Sequence, residues 1–508
     1  MKLDFWRNRN GSSADEVAAG SYDGEPPIDQ TSKPFFQRVL PVFATGAGLF
    51  SDGYVQNVIG SVGTILGMQY GDIYKKSNYK QNVASIAFAG TVLGQLVFGY
   101  TSDKWSRTNS LLVSTAILIV FTALCAGSYY HGSVSGMLQI LIAWRFFVGI
   151  GIGGEYPAGS VGAAESTGEL KSGTRNRWFI LFTNSMIDWG FVAGALVPYI
   201  VTVICDNKHL STIWRTSLGI GCVFPLILFV LRLRLKEPEE FQRHSMAHAK
   251  IPYMLSLRFY GYRLFVVSLI WFIYDFSAYS FGIYSSTILA NIISDDAPLS
   301  TTFGWNVLIN VFYLPGTLLG APVSDWLGPR MALVTGVTLQ AIVGFILSGD
   351  YHNLSQPHNV AGFAVAYGIF LSLGELGPGN NIGLLAAKTS ATGIRGHYYG
   401  VAAAFGKIGA FVGTYVFPYI AAAGGDSDVA SAQYPFYVSS SLCILSAGLT
   451  IFCLPHIGQE TIQLEDRRYR EYLESKGYDT RQMGLHKGES LESVGNAAHV
   501  ESPGEPKV

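Results

Sequence analysis

From about residue 36 to residue 455 the chain alternates between long apolar runs and short polar breaks. The runs are each on the order of 20 residues, the length a helix needs to cross the hydrocarbon core of a bilayer. Twelve such segments begin near Pro41, Ala84, Ser110, Met137, Trp178, Thr212, Leu264, Phe303, Met331, Ala361, Tyr398 and Pro435. The longest polar break, 235–263, follows the sixth. The pattern therefore predicts an all-α polytopic membrane protein of twelve transmembrane helices. One six-helix bundle covers 36–234, a central loop 235–263 and a second bundle 264–455, with polar tails at 1–35 and 456–508. Six plus six around a central loop is the layout of many secondary transporters. The first tail has no apolar core behind a basic start, so no cleavable signal peptide is expected. The second, beginning "ETIQLEDRRYREYLESK", is expected to hold one short amphipathic helix and then disorder.

Composition agrees with the pattern. Charged residues make up 14% of the 508, against about 25% in an ordinary soluble domain. The five cysteines fall in or beside apolar runs without metal-ligand spacing, which predicts reduced core residues. No metal or cofactor site, no Ser-His-Asp spacing and no phosphate-cradling loop is present in the sequence, so an enzyme is not expected. The expected partners are the bilayer, protons and a small molecule, not nucleic acid.

Lysine and arginine set the orientation. They crowd the central loop (Arg232, Arg234, Lys236, Arg243, Lys250, Arg258, Arg263) and the breaks holding Lys104 and Arg107, Lys171, Arg175 and Arg177, and Arg330. These lie on one side if both termini are cytoplasmic; the three lysines of "YKKSNYK" argue against it. The sequon Asn353-Leu354-Ser355 falls on the outer face in this orientation and is a candidate glycosylation site.

A repeat links the two halves. "GYTSDKWSR" follows the second span and "APVSDWLGPR" the eighth, each with an Asp, a bend and an Arg. Asp103 with Arg107, and Asp325 with Arg330, are expected to form charge latches between neighbouring helices; the competing reading is solvated loop charge. The first copy resembles the loop motif G-x-x-x-D-[RK]-x-G-R of the major facilitator superfamily at Gly99, Asp103, Lys104 and Arg107, with Ser106 in place of the glycine. The second keeps Asp325, Gly328 and Arg330.

Seven ionisable residues stand inside the spans: Asp52, Arg145, Glu155, Asp188, Asp275, Glu375 and Lys407. Such a residue costs about 2.5–3.5 kcal/mol at a helix centre on insertion scales and is functional by default. Five acids against two bases cannot all be charged and paired in a dry bundle, which points to proton coupling. The run "GIGIGGEYPAGS" contains G-x-G-x-x-G, but a dinucleotide site needs a preceding strand, and this run continues a membrane segment. Glycines four apart, Gly149 and Gly153, instead allow close helix approach, holding Glu155 and Tyr156 near the midplane.

In the seventh span Trp271, Asp275 and Tyr279 recur every fourth residue, on one slowly drifting helix face. They make a polar wall for a ligand. In the tenth, "GELGPGNN" should break the helix beside Asn380 and Asn381. In the eleventh, Lys407 is the candidate anion partner, with snorkelling to an interface as the alternative.

Together these motifs resemble the phosphate:proton symporter branch of the superfamily, across all twelve spans. The matches are R-F-x-x-G-x-G-x-G-G-[DE]-Y-P at Arg145 to Pro157, W-x-x-x-D-x-x-x-Y at Trp271, Asp275 and Tyr279, an Asp at Asp52, and G-K-x-G-A at Gly406 to Ala410. The resemblance implies that Tyr156, Trp271, Tyr279 and their polar neighbours bind phosphate, and that Asp52 and Glu155 carry protons. Three departures stand out: "MIDWG" places Asp188 beside the family's glutamine, "GPGNN" moves the asparagine to Asn380, and "AAK" ends the tenth span in Lys388. Extra negative charge repels inorganic phosphate but suits sugar hydroxyls or a quaternary amine. With these changes the chain looks like the fungal glycerophosphodiester permeases, which import glycerophosphoinositol or glycerophosphocholine. The expected function is proton-coupled import of such a small organophosphate across the plasma membrane. Tyr156, Asp188, Trp271, Asp275, Tyr279, Asn380 and Lys407 are the expected substrate ligands. An inorganic phosphate symporter and a non-transporting nutrient receptor are the alternatives.

Overall fold

The computed structural model describes residues 34–484 except 77, 172, 291, 294–296, 426, 456 and 458–460. The expectations for the first tail, including the signal peptide, and for the tail beyond 484 fall outside the described residues. Every regular element among the described residues is helical. Eleven segments are long and apolar enough to cross a membrane: Tyr79–Lys104, Arg107–Ala126, Val134–Ser166, Arg175–Ile204, Leu210–Arg232, Tyr253–Leu289, Leu299–Trp326, Pro329–Gly349, Val360–Lys388, Thr392–Ala422 and Val429–Cys453. They are spans two to twelve of the sequence reading. The expected first span is present as two helices, Phe35–Gly46 and Leu49–Lys76. It is absent from the apolar set because Ser51, Asp52, Gln56 and Asn57 crowd one part of it, all of them buried.

The helices pack through glycine. A side chain at Gly149 or Gly153 of span four would run into the Ala87 and Thr91 carbonyls of span two, at 2.0 and 2.6 Å from the added carbon. Gly90 and Gly94 of span two meet the Phe146 and Ile150 carbonyls in return. Small residues on both faces bring the two backbones together, which in lipid replaces the hydrophobic drive that water provides to a soluble core. Leu93, Leu96, Val97, Val230, Leu319 and Ile346 lie on the outer surface, exposed. Apolar side chains facing outward from such helices are the surface a bilayer solvates.

One boundary differs from the sequence reading. The seventh-span helix starts at Tyr253 rather than near Leu264, so Arg258 and Arg263 belong to its first turns and not to a loop. The charged tail forms the helix Thr461–Ser475, and it docks: Tyr469 and Leu473 are fully buried with Met246 and Tyr260. Arg263 pairs with its Glu465 at 2.9 Å.

Candidate functional site

A cavity lies between the two halves, reached by spans one, four, five, seven, eight, ten and eleven. Of the residues expected to hold substrate, Tyr156, Trp271, Asp275, Tyr279 and Asn380 line it. Among the described residues no lysine or arginine does. Behind this wall sits a compact charge cluster. Tyr156 Oη donates to Asp52 Oδ2 at 2.5 Å and Tyr279 Oη donates to the same oxygen at 2.9 Å. Lys407 Nζ donates to Asp52 Oδ2 at 3.3 Å and to Tyr279 Oη, and lies 3.6 Å from Asp275 Oδ2. Its ammonium also sits 3.7 Å from the Tyr279 ring centroid. Lys407 is buried, so snorkelling to an interface is not its role here. Its neighbour Gly406 is required by packing: an added carbon there would meet Trp271 Cδ1 at 2.4 Å.

Glu155 stands apart from this cluster. Arg232 Nη1 and Nη2 donate to its two oxygens at 2.6 and 2.7 Å, and Thr115 Oγ1 donates to Oε1 at 3.1 Å. The break in span one completes the arrangement. The Ala44 and Thr45 carbonyls accept from Arg232 Nε and Nη2 at 2.9 and 3.0 Å. Gly48 leaves the room, since an added carbon there would lie 1.9 Å from Glu155 Oε2. The sequence reading counted Arg232 with the central loop; it is wholly buried at the end of span six. That corrects the count of five acids against two bases, because a helix end can fold its cation back into the bundle. Arg145, the other intramembrane base, donates to the Val83 and Val55 carbonyls at 2.8 and 3.4 Å and packs the first half.

A second acidic pair lies on spans five and ten. Glu375 lines it, accepting from Tyr274 Oη at 2.8 Å and from Asn184 Nδ2 at 2.9 Å. Asp188 is fully buried with both oxygens lacking a hydrogen-bond donor, and it senses the Glu375 charge. It does not face the cavity as the expected head-group contact would. Asn184, Ile187 and Phe191 form the lining face of its helix, and Asp188 is turned to that face's edge, toward Thr317. Asn380 is at the wall but occupied: its Oδ1 accepts from Asn184 and Thr317 at 3.0 and 2.8 Å, and its Nδ2 donates to the Thr317 carbonyl at 3.0 Å.

The expected latches lie toward the other end of spans two, four, five, eight, ten and eleven. Asp103 pairs with Arg107 at 2.5 Å, and its oxygens also accept from the Gly396 and His397 backbone at 2.9 and 2.7 Å, joining the two halves. Arg107 and Arg395 both pair with Glu165 at 3.0 Å. In the second copy Asp325 takes a partner from the other half, Arg177 at 3.2 Å, while Arg330 Nε and Nη2 donate to the Thr450 and Ile451 carbonyls. The reason is local: Gly328, with φ 78°, and Pro329 start the next helix so that Arg330 faces span twelve, whereas Ser106 caps its helix in an extended conformation. Lys388 donates to Asn176 Oδ1 at 2.6 Å and also bridges the halves. Asn353 lies exposed in the short helix Tyr351–Leu354. The two halves also meet at the other end of the cavity, where Asn57 donates to Asn310 at 2.9 Å and Ser300 N to Asn207 Oδ1 at 2.9 Å.

One grouping of metal-ligating atoms occurs among the described residues, Glu240, His244 and Asp466, all within 4.8 Å. Its donors are engaged: Asp466 accepts from Thr392 N and Oγ1 at 2.5 and 2.7 Å, and Arg470 Nη2 donates to His244 Nδ1 at 3.3 Å. Burial, with the Asp466 carboxylate beside it, pushes the Glu240 carboxyl up to about 7. Sequence reasoning missed Arg232, Glu165, Arg395 and Tyr274. The first three are charges at helix ends, and nothing local separates such a residue folded inward from one in water.

The comparisons with known proteins agree with this architecture. The sequence model of the family described as "Sugar (and other) transporter" matches residues 40–250 and 238–469. Three proteins of Candida albicans are each 49% identical to the chain. They are the glycerophosphodiester transporter GIT2 (95% of this chain, 90% of that one), the glycerophosphocholine permease GIT4 (89% and 85%) and the major glycerophosphoinositol permease GIT3 (93% and 89%). The solved structure of the proton:xylose symporter XylE has the same fold, with a TM-score of 0.68 over 86% of this chain and 99% of that one, at 16% identity.

Proposed function

Because the chain belongs to the sugar (and other) transporter family of the major facilitator superfamily, we propose that it imports glycerophosphodiesters across the plasma membrane together with protons. In this reading both termini are cytoplasmic. The observation that carries it is one lysine shared by two carboxylates: Lys407 lies 3.3 Å from Asp52 and 3.6 Å from Asp275, beside the cavity. One ammonium balances one carboxylate, and a proton balances the other. Burial makes the imbalance consequential, since an unpaired charge in a low-dielectric site is stabilised by neutralising it.

The cycle follows from that arithmetic. A phosphodiester with an uncharged head group brings one negative charge, and moving it into a cell that is negative inside costs about 2.3 kcal/mol per 100 mV. A proton on Asp52 removes that electrical cost and loosens Lys407 from the carboxylate, turning its charge toward the phosphate. Tyr156 and Tyr279, which donate to Asp52, and the Trp271 indole are placed to donate to phosphate oxygens in the cavity. Glu155 enters the cycle only when it parts from Arg232, a step that would also release the span-one carbonyls. Rocking of the halves about the central cavity opens it to each side in turn. The cross-half pairs of Asp103, Glu165 and Asp325 are what must break to open it on the side they close.

Uptake of labelled glycerophosphodiester by cells lacking their own permeases tests this. Uptake should rise as the external medium is acidified and collapse with a protonophore. Asp52→Asn should lose concentrative uptake while keeping substrate exchange, because an amide mimics only the protonated carboxyl. Trp271→Ala and Tyr279→Phe should weaken apparent affinity at normal surface expression. Accumulation by Asp52→Asn at the wild-type level sinks the coupling scheme. Inorganic phosphate entering in place of the diester, or binding without any entry, sinks the substrate assignment.

A further inference from the structure

The cavity wall has two chemically different parts. One, at Asp275 and Tyr279, is backed by Lys407. The other is at Glu375, which pairs with no cation among the described residues. Beside Glu375 the lining holds two phenol rings: Tyr274, which donates to it, and Tyr313, whose ring packs on Phe191 with centroids 4.9 Å apart. Asp188 adds a second carboxylate behind the wall, buried and without a donor. Carboxylate and ring faces together are the surroundings a desolvated quaternary ammonium prefers, because the ring quadrupole attracts the cation without asking for a hydrogen bond. A polyol needs the opposite, a wall of free donors and acceptors. Here the amide neighbours are spent, since Asn184 Nδ2 donates to Glu375 and Asn380, and Asn380 is itself filled by Asn184 and Thr317.

Charge balance points the same way. Asp52, Asp275, Glu375 and Asp188 face a single nearby lysine, Lys407. A diester with an uncharged head group adds another negative charge to this excess. A zwitterionic diester adds none, and its positive end falls where the protein has an acid and no base.

We propose that the cavity wall at Glu375 is a quaternary-ammonium subsite, and that the preferred substrates are phosphodiesters whose head group carries a fixed positive charge. Of the two diesters named for the relatives, that is glycerophosphocholine rather than glycerophosphoinositol. The inference rests on the cavity being a glycerophosphodiester site and adds which part of its wall holds the head group.

Parallel uptake of labelled glycerophosphocholine and glycerophosphoinositol tests it in the intact chain. The wild type should half-saturate with glycerophosphocholine at a concentration at least tenfold lower. Glu375→Gln keeps an acceptor for Tyr274 and should raise that value tenfold or more, while changing the inositol diester less than threefold. An arm needing no variant uses free choline and free inositol as inhibitors of wild-type uptake, and choline should inhibit at tenfold lower concentration. Preference for the inositol diester, equal inhibition by the two free head groups, or a Glu375→Gln protein that loses both diesters alike overturns the subsite and leaves the diester reading intact. Loss of acid stimulation by Glu375→Gln with unchanged affinity makes Glu375 a proton carrier and also overturns it. Entry of neither diester is a failure of the earlier reading, not of this one alone.

Discussion

Spans four and ten occupy corresponding places in the two halves, and each carries a glycine followed by a glutamate and, two or three residues on, a proline. Each widens into a π-turn that starts at the glutamate, Glu155–Ser160 in one and Glu375–Gly379 in the other. The local sequence does the same thing twice: small residues and a proline loosen the helix and present a carboxylate inward. What the carboxylate then meets differs completely. Glu155 finds the Arg232 guanidinium and becomes one side of a two-point ion pair away from the cavity. Glu375 finds a phenol and an amide and remains in the cavity wall. The same acid in the same kind of turn is a structural clasp in one half and a candidate ligand contact in the other, and only its partner separates the two.

The contrast can be broken from either side. The largest effect is expected at the clasp. Arg232→Leu leaves Glu155 buried and uncompensated, which costs about 3–5 kcal/mol in buried pairs. A fall in the thermal melting temperature of detergent-purified protein and in surface expression would report it. Glu155→Leu combined with Arg232→Leu should recover most of the loss, since removing both partners leaves no orphaned charge. If the double variant is no better than the single, Arg232 stabilises through the Ala44 and Thr45 carbonyls instead.

Gly48→Ala is the next test. Its methyl would fall 1.9 Å from Glu155 Oε2, so the pair or the span-one break must shift, at a cost of about 1–3 kcal/mol for overpacking. A melting temperature equal to the wild type's would mean that the break yields freely. Glu375→Gln should move stability by only about 1 kcal/mol, since the amide still accepts from Tyr274, loses one acceptor toward Asn184 and breaks no ion pair. A large loss of stability there would make Glu375 a second clasp and erase the contrast.

The smallest effect concerns the same distinction where the central loop and tail meet the span ends. Glu165 is held by Arg107 and Arg395, whereas Glu240 faces Asp466 and is pushed up to about 7 by burial first and by that carboxylate second. A raised carboxyl pKa means that the protonated form favours the docked state. The contribution is full below the ordinary carboxylate range and fades as pH rises through about 7. Hydrogen exchange in Thr461–Ser475, corrected for intrinsic rates, should therefore show the tail helix loosening between about pH 5 and pH 8. Glu240→Gln should flatten that dependence.

Much of the molecule was legible in the chain. Helix number, the central division and the inward acids follow from apolar run length and from the cost of a charge in lipid, and both are properties of a short window. The Trp271, Asp275 and Tyr279 stripe was legible because helical period alone puts every fourth residue on one side. Even the glycine contact of spans two and four was half visible, as Gly149 and Gly153. The tertiary structure decided the pairing. Lys407 reaches Asp52 across 355 residues, and Arg232 reaches Glu155 across 77. It also turned Asp188 off the lining face and left Glu375 on it, a matter of helix rotation within the bundle. A sequence states which charges must be neutralised inside a membrane. Which charge meets which is fixed by packing, because the attraction depends on a few ångströms of separation that no local pattern encodes.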